Sequence, residues 1–260
     1  MKEQATMGVA WITGGGSGIG RAAALALGTA GFHVVVSGRR QAELEETVRL
    51  VHAEQRVASA LTVDVGDGEA VHTAAQRIEA EHGPVTLLVC AAGLNVPRRS
   101  WADVRLQDYR RVASVNLDGV VHTVHAVLPA MRSRGAGTIV VISSWAGREF
   151  LPVAGMAYGA TKAALSPLVE SLNCEEGHHG IRASLVMPGE VVTPMLMTRP
   201  QPPSAQDFER MLQPEDLGNL IRFIATAPPR MCVGEVLIGP TWNRIYIGAD
   251  DMRVTRPPPS

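Results

Sequence analysis

Tyr158 and Lys162 stand four residues apart in Tyr158-Gly-Ala-Thr-Lys162. The stretch reads as helix, so both side chains lie on one face. A phenol alone is a poor base at neutral pH, because its reference pKa is about 10. An ammonium beside it favours the phenolate, draws the pKa towards the working range and makes the pair an acid/base device. The same spacing is also common in plain surface pairs. What gives it weight is an upstream feature, Thr13-Gly-Gly-Gly-Ser-Gly-Ile-Gly20, between an apolar run and an Ala/Leu-rich stretch. Glycines there serve a tight turn, close backbone approach to a pyrophosphate, and close packing of helix on strand. The helix start then offers N–H groups and a positive dipole end to the phosphates. Gly14, Gly16, Ser17, Gly18, Ile19 and Gly20 are the candidate cradle. No Lys follows them, which excludes a GxxxxGK[ST] phosphate loop.

These groups need a frame. Short apolar, β-branched runs recur at 9–13, 33–37, 58–65, 86–91, 138–143, 182–187 and 233–238. Continuous runs such as Val-Val-Val suit strands buried on both faces, as parallel sheets require. Between them, Leu44/Val48/Val51 and Val71/Ala74/Ala75/Ile78 keep helical spacing with charged outer faces. Such alternation predicts right-handed βαβ crossovers and one α/β domain over 1–260, a doubly wound, mostly parallel Rossmann-type sheet of about seven strands. A proline-rich break near 194–212 reads as a loop or lid, and 250–260 as a flexible tail.

The end of the second run selects the cofactor. An acid there would bind the ribose 2′-OH of NAD, whereas an Arg accommodates the 2′-phosphate of NADP. The position of the acid is Gly38, and Arg39 and Arg40 follow at once. A guanidinium can grip the phosphate with a bidentate fork, so NADP(H) is expected and NAD is the less favoured cofactor.

Thr-Gly-x-x-x-Gly-Ile-Gly at 13–20, Asn116 in Val-Asn-Leu-Asp-Gly, Ser143-Ser144, Tyr158-x-x-x-Lys162 and Pro188-Gly-Glu-Val-Val-Thr193 occur in this order. Together they resemble the short-chain dehydrogenase/reductase family over roughly 8–238. The resemblance implies an oxidoreductase moving hydride between NADP(H) and a ketone or secondary alcohol. Tyr158 would be the acid/base, Ser144 would hydrogen-bond the substrate oxygen, and Lys162 would also hold the nicotinamide ribose. Asn116 would anchor a proton-relaying water. Asp64 would meet the adenine edge and Thr193 the nicotinamide carboxamide, with Val65, Gly93, Pro188, Gly189 and Val191 also on the cofactor. A homo-oligomer, dimer or tetramer, is implied too. The chain departs from the family pattern in Cys90-Ala-Ala-Gly93, where an Asn is usual, so another group must brace the central strands. The gap from Ser144 to Tyr158 is one residue longer than the commonest, which keeps Ser143 as a fallback. The last strand leads into Gly-Pro-Thr-Trp-Asn-Arg244 instead of Val-Asp-Gly-Gly.

The substrate pocket should form beyond the sheet's carboxyl edge, from Leu94, Asn95, residues 145–150 and residues 195–197. Trp145, Phe150, Met195 and Met197 suggest an apolar lining, with Arg148 or Glu149 as a polar contact. A catalytically silent NADP-binding sensor or scaffold would be expected to lose Tyr158, Lys162 or Ser144. A methyltransferase would want an acid after the second strand.

Composition narrows the field further. A formal net charge of −1 gives no electrostatic reason to expect a nucleic acid or an anionic membrane as partner. No run approaches the ~18 apolar residues of a span. Cys90, Cys174 and Cys232 lack metal spacing and sit among apolar neighbours, so they read as small buried hydrophobes in a reduced, cytoplasmic protein without bound metal. The basic set is lopsided: 22 arginines against two lysines, Lys2 and Lys162. A guanidinium cannot replace a compact ammonium beside a phenol and a ribose, so Lys162 stands out independently of any motif.

Overall fold

The computed structural model describes residues 7–247; the expected tail and Lys2 lie outside them. The first half alternates strand and helix: β1 (Val9–Thr13), α1 (Gly18–Thr29), β2 (His33–Gly38), α2 (Gln41–Ala53), β3 (Ala58–Thr62), α3 (Gly68–His82) and β4 (Val85–Cys90). Then come α4 (Leu106–Ala113), α5 (Gly119–Arg134), β5 (Gly137–Ile142), α6 (Trp145–Arg148), α7 (Met156–Ala163) and α8 (Leu165–Glu176). The chain continues through β6 (Ile181–Pro188), α9 (Ala205–Arg210), α10 (Pro214–Thr226), β7 (Glu235–Ile238) and α11 (Arg244–Ile247). The seven strands form one sheet in the order β3-β2-β1-β4-β5-β6-β7, every pair parallel.

Period-two alternation divides β1 between two cores. Val9 and Trp11 face the layer holding α3, α5 and α8, whereas Ala10 and Ile12 face α1, α2 and α10. The indole of Trp11, fully buried, donates to Ser37 Oγ on β2 at 2.9 Å, so this large core residue leaves no orphan donor. Order reversal between β1 and β4 opens a crevice at the carboxyl ends of the strands, where α/β sheets bind ligands.

Three expectations are corrected. β3 ends at Thr62, not 65, because Asp64 Oδ1 accepts the Gly66 N–H at 3.0 Å and turns the chain out of the sheet. Segment 194–212 is not plain loop: it holds a 3₁₀ turn, Pro194–Thr198, and α9. Ser204 and Asp207 form a capping box on α9, a signature present in the sequence as Ser-x-x-Asp. Cys90 is buried, but Cys174 and Cys232 are exposed. Cys174 falls off the Leu165/Val169 stripe that α8 buries. Among the described residues, no helix is long and apolar enough to cross a membrane.

Candidate active site

A cleft of about 570 Å³ opens at the crevice, within the size range of small-molecule sites. Its floor is the glycine turn. Gly14 has φ +67°, and a Cβ there would stand 2.7 Å from the Ala92 backbone, so β1 and the loop after β4 meet at backbone contact. Gly14→Ala is therefore expected to cost about 3 kcal/mol, from left-handed strain plus overpacking, measured by denaturant unfolding. Ser17 occupies the N-cap of α1 without a side-chain cap, and no acid lies in the first turn. The N–H groups and dipole of α1 thus face the cleft with no competing anion of their own, which fits a pyrophosphate.

At the rim beyond β2, Arg40 Nη2 donates to Ser17 Oγ at 3.4 Å and pairs with Glu43 at 3.5 Å. Arg39 lies 3.9 Å from Asp64. These pairs are exposed and worth little, so both guanidiniums can turn to a phosphate at small cost. Asp64 and Glu43 also line the rim, so the end of the cleft beyond β2 carries two cations and two acids.

At the other end, β5 delivers Ser143 and Ser144, and α7 delivers Tyr158 and Lys162. Ser143 Oγ is buried and donates to the Lys162 carbonyl at 2.8 Å, which ties α7 to β5. Ser144 lines the cleft, accepts from Ala146 N at 3.2 Å, and is a hydrogen-bond partner of the Tyr158 phenol. Both serines line the cleft, but the Ser143 hydroxyl is used on the Lys162 carbonyl, whereas that of Ser144 meets the phenol. Lys162 is 4% exposed; its Nζ donates to Ile142 O at 2.7 Å and lies 5.8 Å from the Tyr158 ring centre. Burial draws its pKa down to about 8. The Tyr158 phenol moves the other way. Burial raises it above its ordinary value, opposed by the Ser144 hydrogen bond and by the charges of Arg199 and Arg99. The expected lowering by Lys162 is thus not seen: the charges that lower the phenol are those of Arg199 and Arg99, and burial outweighs them.

Asn116 lies in a π-helical turn, Ser114–Asp118, between α4 and α5. Such turns displace a side chain from the helical row and recur at functional sites. Asn116 Oδ1 accepts from Leu94 N at 2.9 Å and its Nδ2 donates to Leu94 O at 3.0 Å. It clamps the loop after β4 and does not line the cleft. The other catalytic and cofactor-binding candidates do, and so does Trp145: Gly14, Gly16, Ser17, Gly18, Ile19, Gly20, Arg39, Arg40, Asp64, Val65, Gly93, Ser144, Tyr158, Lys162, Pro188, Gly189, Val191 and Thr193. Where the family has an Asn, Cys90 Sγ meets Thr123 Oγ1 at 3.4 Å. Thr13 Oγ1 accepts from Ala92 N at 3.2 Å, so a hydroxyl from β1 braces that loop. Burial pushes the Cys90 thiol up to about 11, which leaves it inert.

The substrate end differs from expectation. Phe150, Arg148, Glu149 and Met197 are exposed and do not line the cleft. Leu94, Asn95, Trp145, Met195 and Leu196 line it as expected, and Leu151 and Val153 complete its apolar wall. Two unforeseen arginines stand there. Arg99 donates to the carbonyls of Val96, Val153 and Thr198 at 2.8, 2.9 and 2.8 Å, stapling three loops together. Arg199 pairs with buried Glu190 at 2.5 Å. Neither belongs to a motif; they meet only because distant loops converge.

Fold and cleft together define an α/β protein of the Rossmann type, with its site at the switch point of the sheet. The chain belongs to the short chain dehydrogenase family, whose pattern matches residues 8–203, and is an oxidoreductase. Sulfoacetaldehyde reductase 2 of Chromohalobacter salexigens is 33% identical over 248 residues, spanning 92% of this chain and 98% of that protein. Glycine betaine reductase ATRR of Emericella nidulans is 31% identical over 237 residues, 89% of this chain; the chain spans 18% of that protein's length. Among solved structures, an alcohol dehydrogenase from Thermococcus sibiricus complexed with 5-hydroxy-NADP aligns with TM-score 0.81 and 27% identity. That alignment covers 91% of this chain and 98% of the other. A metagenomic short-chain oxidoreductase in complex with NADP aligns with TM-score 0.79 and 30% identity, covering 92% and 99%.

Proposed function

We propose that the protein moves hydride between NADP(H) and the carbonyl or secondary alcohol of a small or medium organic substrate, with Tyr158 as acid/base. The observation that carries this is one cleft joining the glycine turn, Arg39 and Arg40 at one end to Ser144, Tyr158 and Lys162 at the other. NADP-bound relatives of the same fold support the cofactor. When bound, the dinucleotide supplies or accepts the hydride. Its pyrophosphate would lie on residues 14–20, its 2′-phosphate on Arg39 and Arg40, its adenine by Asp64 and Val65, and its nicotinamide by Gly93, Pro188, Gly189, Val191 and Thr193.

The chain's own groups do the proton chemistry. Ser144 hydrogen-bonds the carbonyl oxygen and supports charge as it develops there. Tyr158 gives that oxygen its phenolic proton; oxidation of the alcohol reverses the transfer. A phenol held above its ordinary pKa stays protonated through the neutral range, which favours reduction. Lys162 holds the ribose and its ammonium supports the phenolate left behind, while Asn116 fixes the loop at Leu94 and anchors the relay water. Segment 194–212 serves as a lid in this scheme. The reading extends to a cytoplasmic homotetramer.

A screen of ketones and aldehydes with NADPH, followed by the absorbance of reduced nicotinamide, tests this against a silent scaffold, which would turn over none. Arg39→Ala/Arg40→Ala should weaken NADPH binding about 100-fold, two charge-assisted contacts being lost, and move NADH binding little. Tighter binding of NADH than of NADPH by the unaltered protein would defeat the assignment.

A further inference from the structure

The substrate end of the cleft holds positive charge that the hydride transfer does not use. Arg99 and Arg199 line it, with Glu190 as the acid beside them. Arg99 is 7% exposed, and its guanidinium is spent on three main-chain carbonyls and the Thr198 hydroxyl. Among the described residues, no carboxylate forms an ion pair with Arg99 within 4.0 Å. The foremost charge acting on it is the like charge of Arg199; exposed Asp103, already bonded to Ser100, acts more weakly. Burial and Arg199 draw its pKa down only to about 10, so it remains a cation at neutral pH. A buried cation offset by dipoles alone is a costly arrangement, and a ligand anion relieves it.

Arg199 approaches from the turn Pro194–Thr198, whose last residue Arg99 holds. Its Nη1 lies 2.5 Å from Glu190, an acid that also lies 3.6 Å from Arg244. Glu190 is thus shared between two cations. Arg99, Arg199 and Tyr158 all line the cleft, so the guanidiniums and the proton donor border one space. A substrate with its oxygen on Tyr158 and Ser144 presents its remaining atoms to that space, which Leu151 and Met195 also line.

We propose that the substrate is an anion, a carbonyl compound or alcohol bearing a carboxylate or sulfonate a few atoms from the reacting carbon. Arg199 donates hydrogen bonds to the oxyanion and Arg99 is the fixed charge behind it. The inference rests on the hydride-transfer reading but adds binding chemistry that can fail separately. Butanoate, propane-1-sulfonate and neutral butanamide, titrated by calorimetry into the protein with bound NADP at constant ionic strength, test the pocket. At least one anion should bind about tenfold or more tighter than the amide, and the order of the two identifies the headgroup. Arg199→Gln combined with Glu190→Gln, which leaves no stranded acid, should erase the difference; melting temperature and NADP affinity report whether the variant is folded. Equal binding of anion and amide overturns the proposal, as does a folded double variant that keeps the preference. With NADPH, an oxo-acid should exceed its methyl ester about 100-fold in kcat/KM, and parity would overturn the proposal too. Tight anion binding without reduction of either compound would leave the anion site standing and remove the hydride-transfer reading.

Discussion

Tyr158→Phe is expected to lower kcat by roughly 10²–10⁴-fold, the usual worth of a positioned general acid, while NADPH affinity changes little. The substitution removes one hydroxyl and keeps the ring in place on α7, so melting temperature should hold within a few degrees. Steady-state kinetics with cofactor titration by fluorescence separates the two effects. Turnover within tenfold of the parent would place the proton elsewhere. The pH dependence has a definite sign. Because burial raises the phenol and the reduction direction uses its protonated form, ketone reduction should not fall between pH 6 and the ordinary phenol range near about 10 on account of Tyr158. Alcohol oxidation needs the phenolate, so the titration of Tyr158 by itself should make it rise with pH across the same window.

Lys162→Arg is the second large effect, expected at about 100-fold or more in kcat/KM. The side chain is enclosed between β5 and α7, and its Nζ sits on the Ile142 carbonyl. A guanidinium is larger, planar and permanently charged, so it overpacks this niche at about 1–3 kcal/mol and misplaces the charge relative to phenol and ribose. Lys162→Met fills the space without charge and serves as the control for packing. The lysine, drawn down to about 8 by burial, loses its charge as pH rises through that value. A kinetic break near pH 8 should therefore be present in the parent and missing in Lys162→Met. Near-normal turnover in Lys162→Arg would reduce the arginine excess of this chain to a matter of codon usage.

Much of this was readable from residue order. Apolar runs without alternation marked strands covered on both faces, and each lies within two or three residues of an observed boundary. The largest miss was β3, where Ala58-Ser-Ala-Leu-Thr62 runs on into Val63-Asp-Val65; the local Asp64–Gly66 hydrogen bond, an Asx-type turn that the apolar pattern masks, stops the strand. Tyr158, Lys162 and Ser144 share a wall because strand ends and helix starts converge at one sheet edge, which periodicity can anticipate. Arg99 and Arg199 were not legible. They lie 100 residues apart in segments without period, and what unites them is a set of main-chain carbonyls that any sequence offers equally. Phe150 and Met197 show the converse, since apolar type next to a motif does not say which way a loop residue points. Cysteine burial failed at Cys174 for a related reason: sequence neighbours on a helix are not its spatial neighbours.

The central position of β1 carries a consequence for how this protein comes into being. β1 is hydrogen-bonded on both edges, to β2 and to β4, and Val9 pairs with Val85. The Gly14 turn is held against Ala92. A growing chain cannot set that turn in place until some ninety residues are free to fold, so its earliest strand stays half-open during much of synthesis. Non-local parallel pairing of this kind folds slowly and leaves apolar edges exposed in the interim. The glycine turn therefore waits on a segment nearly eighty residues further along the chain before it can take its final shape.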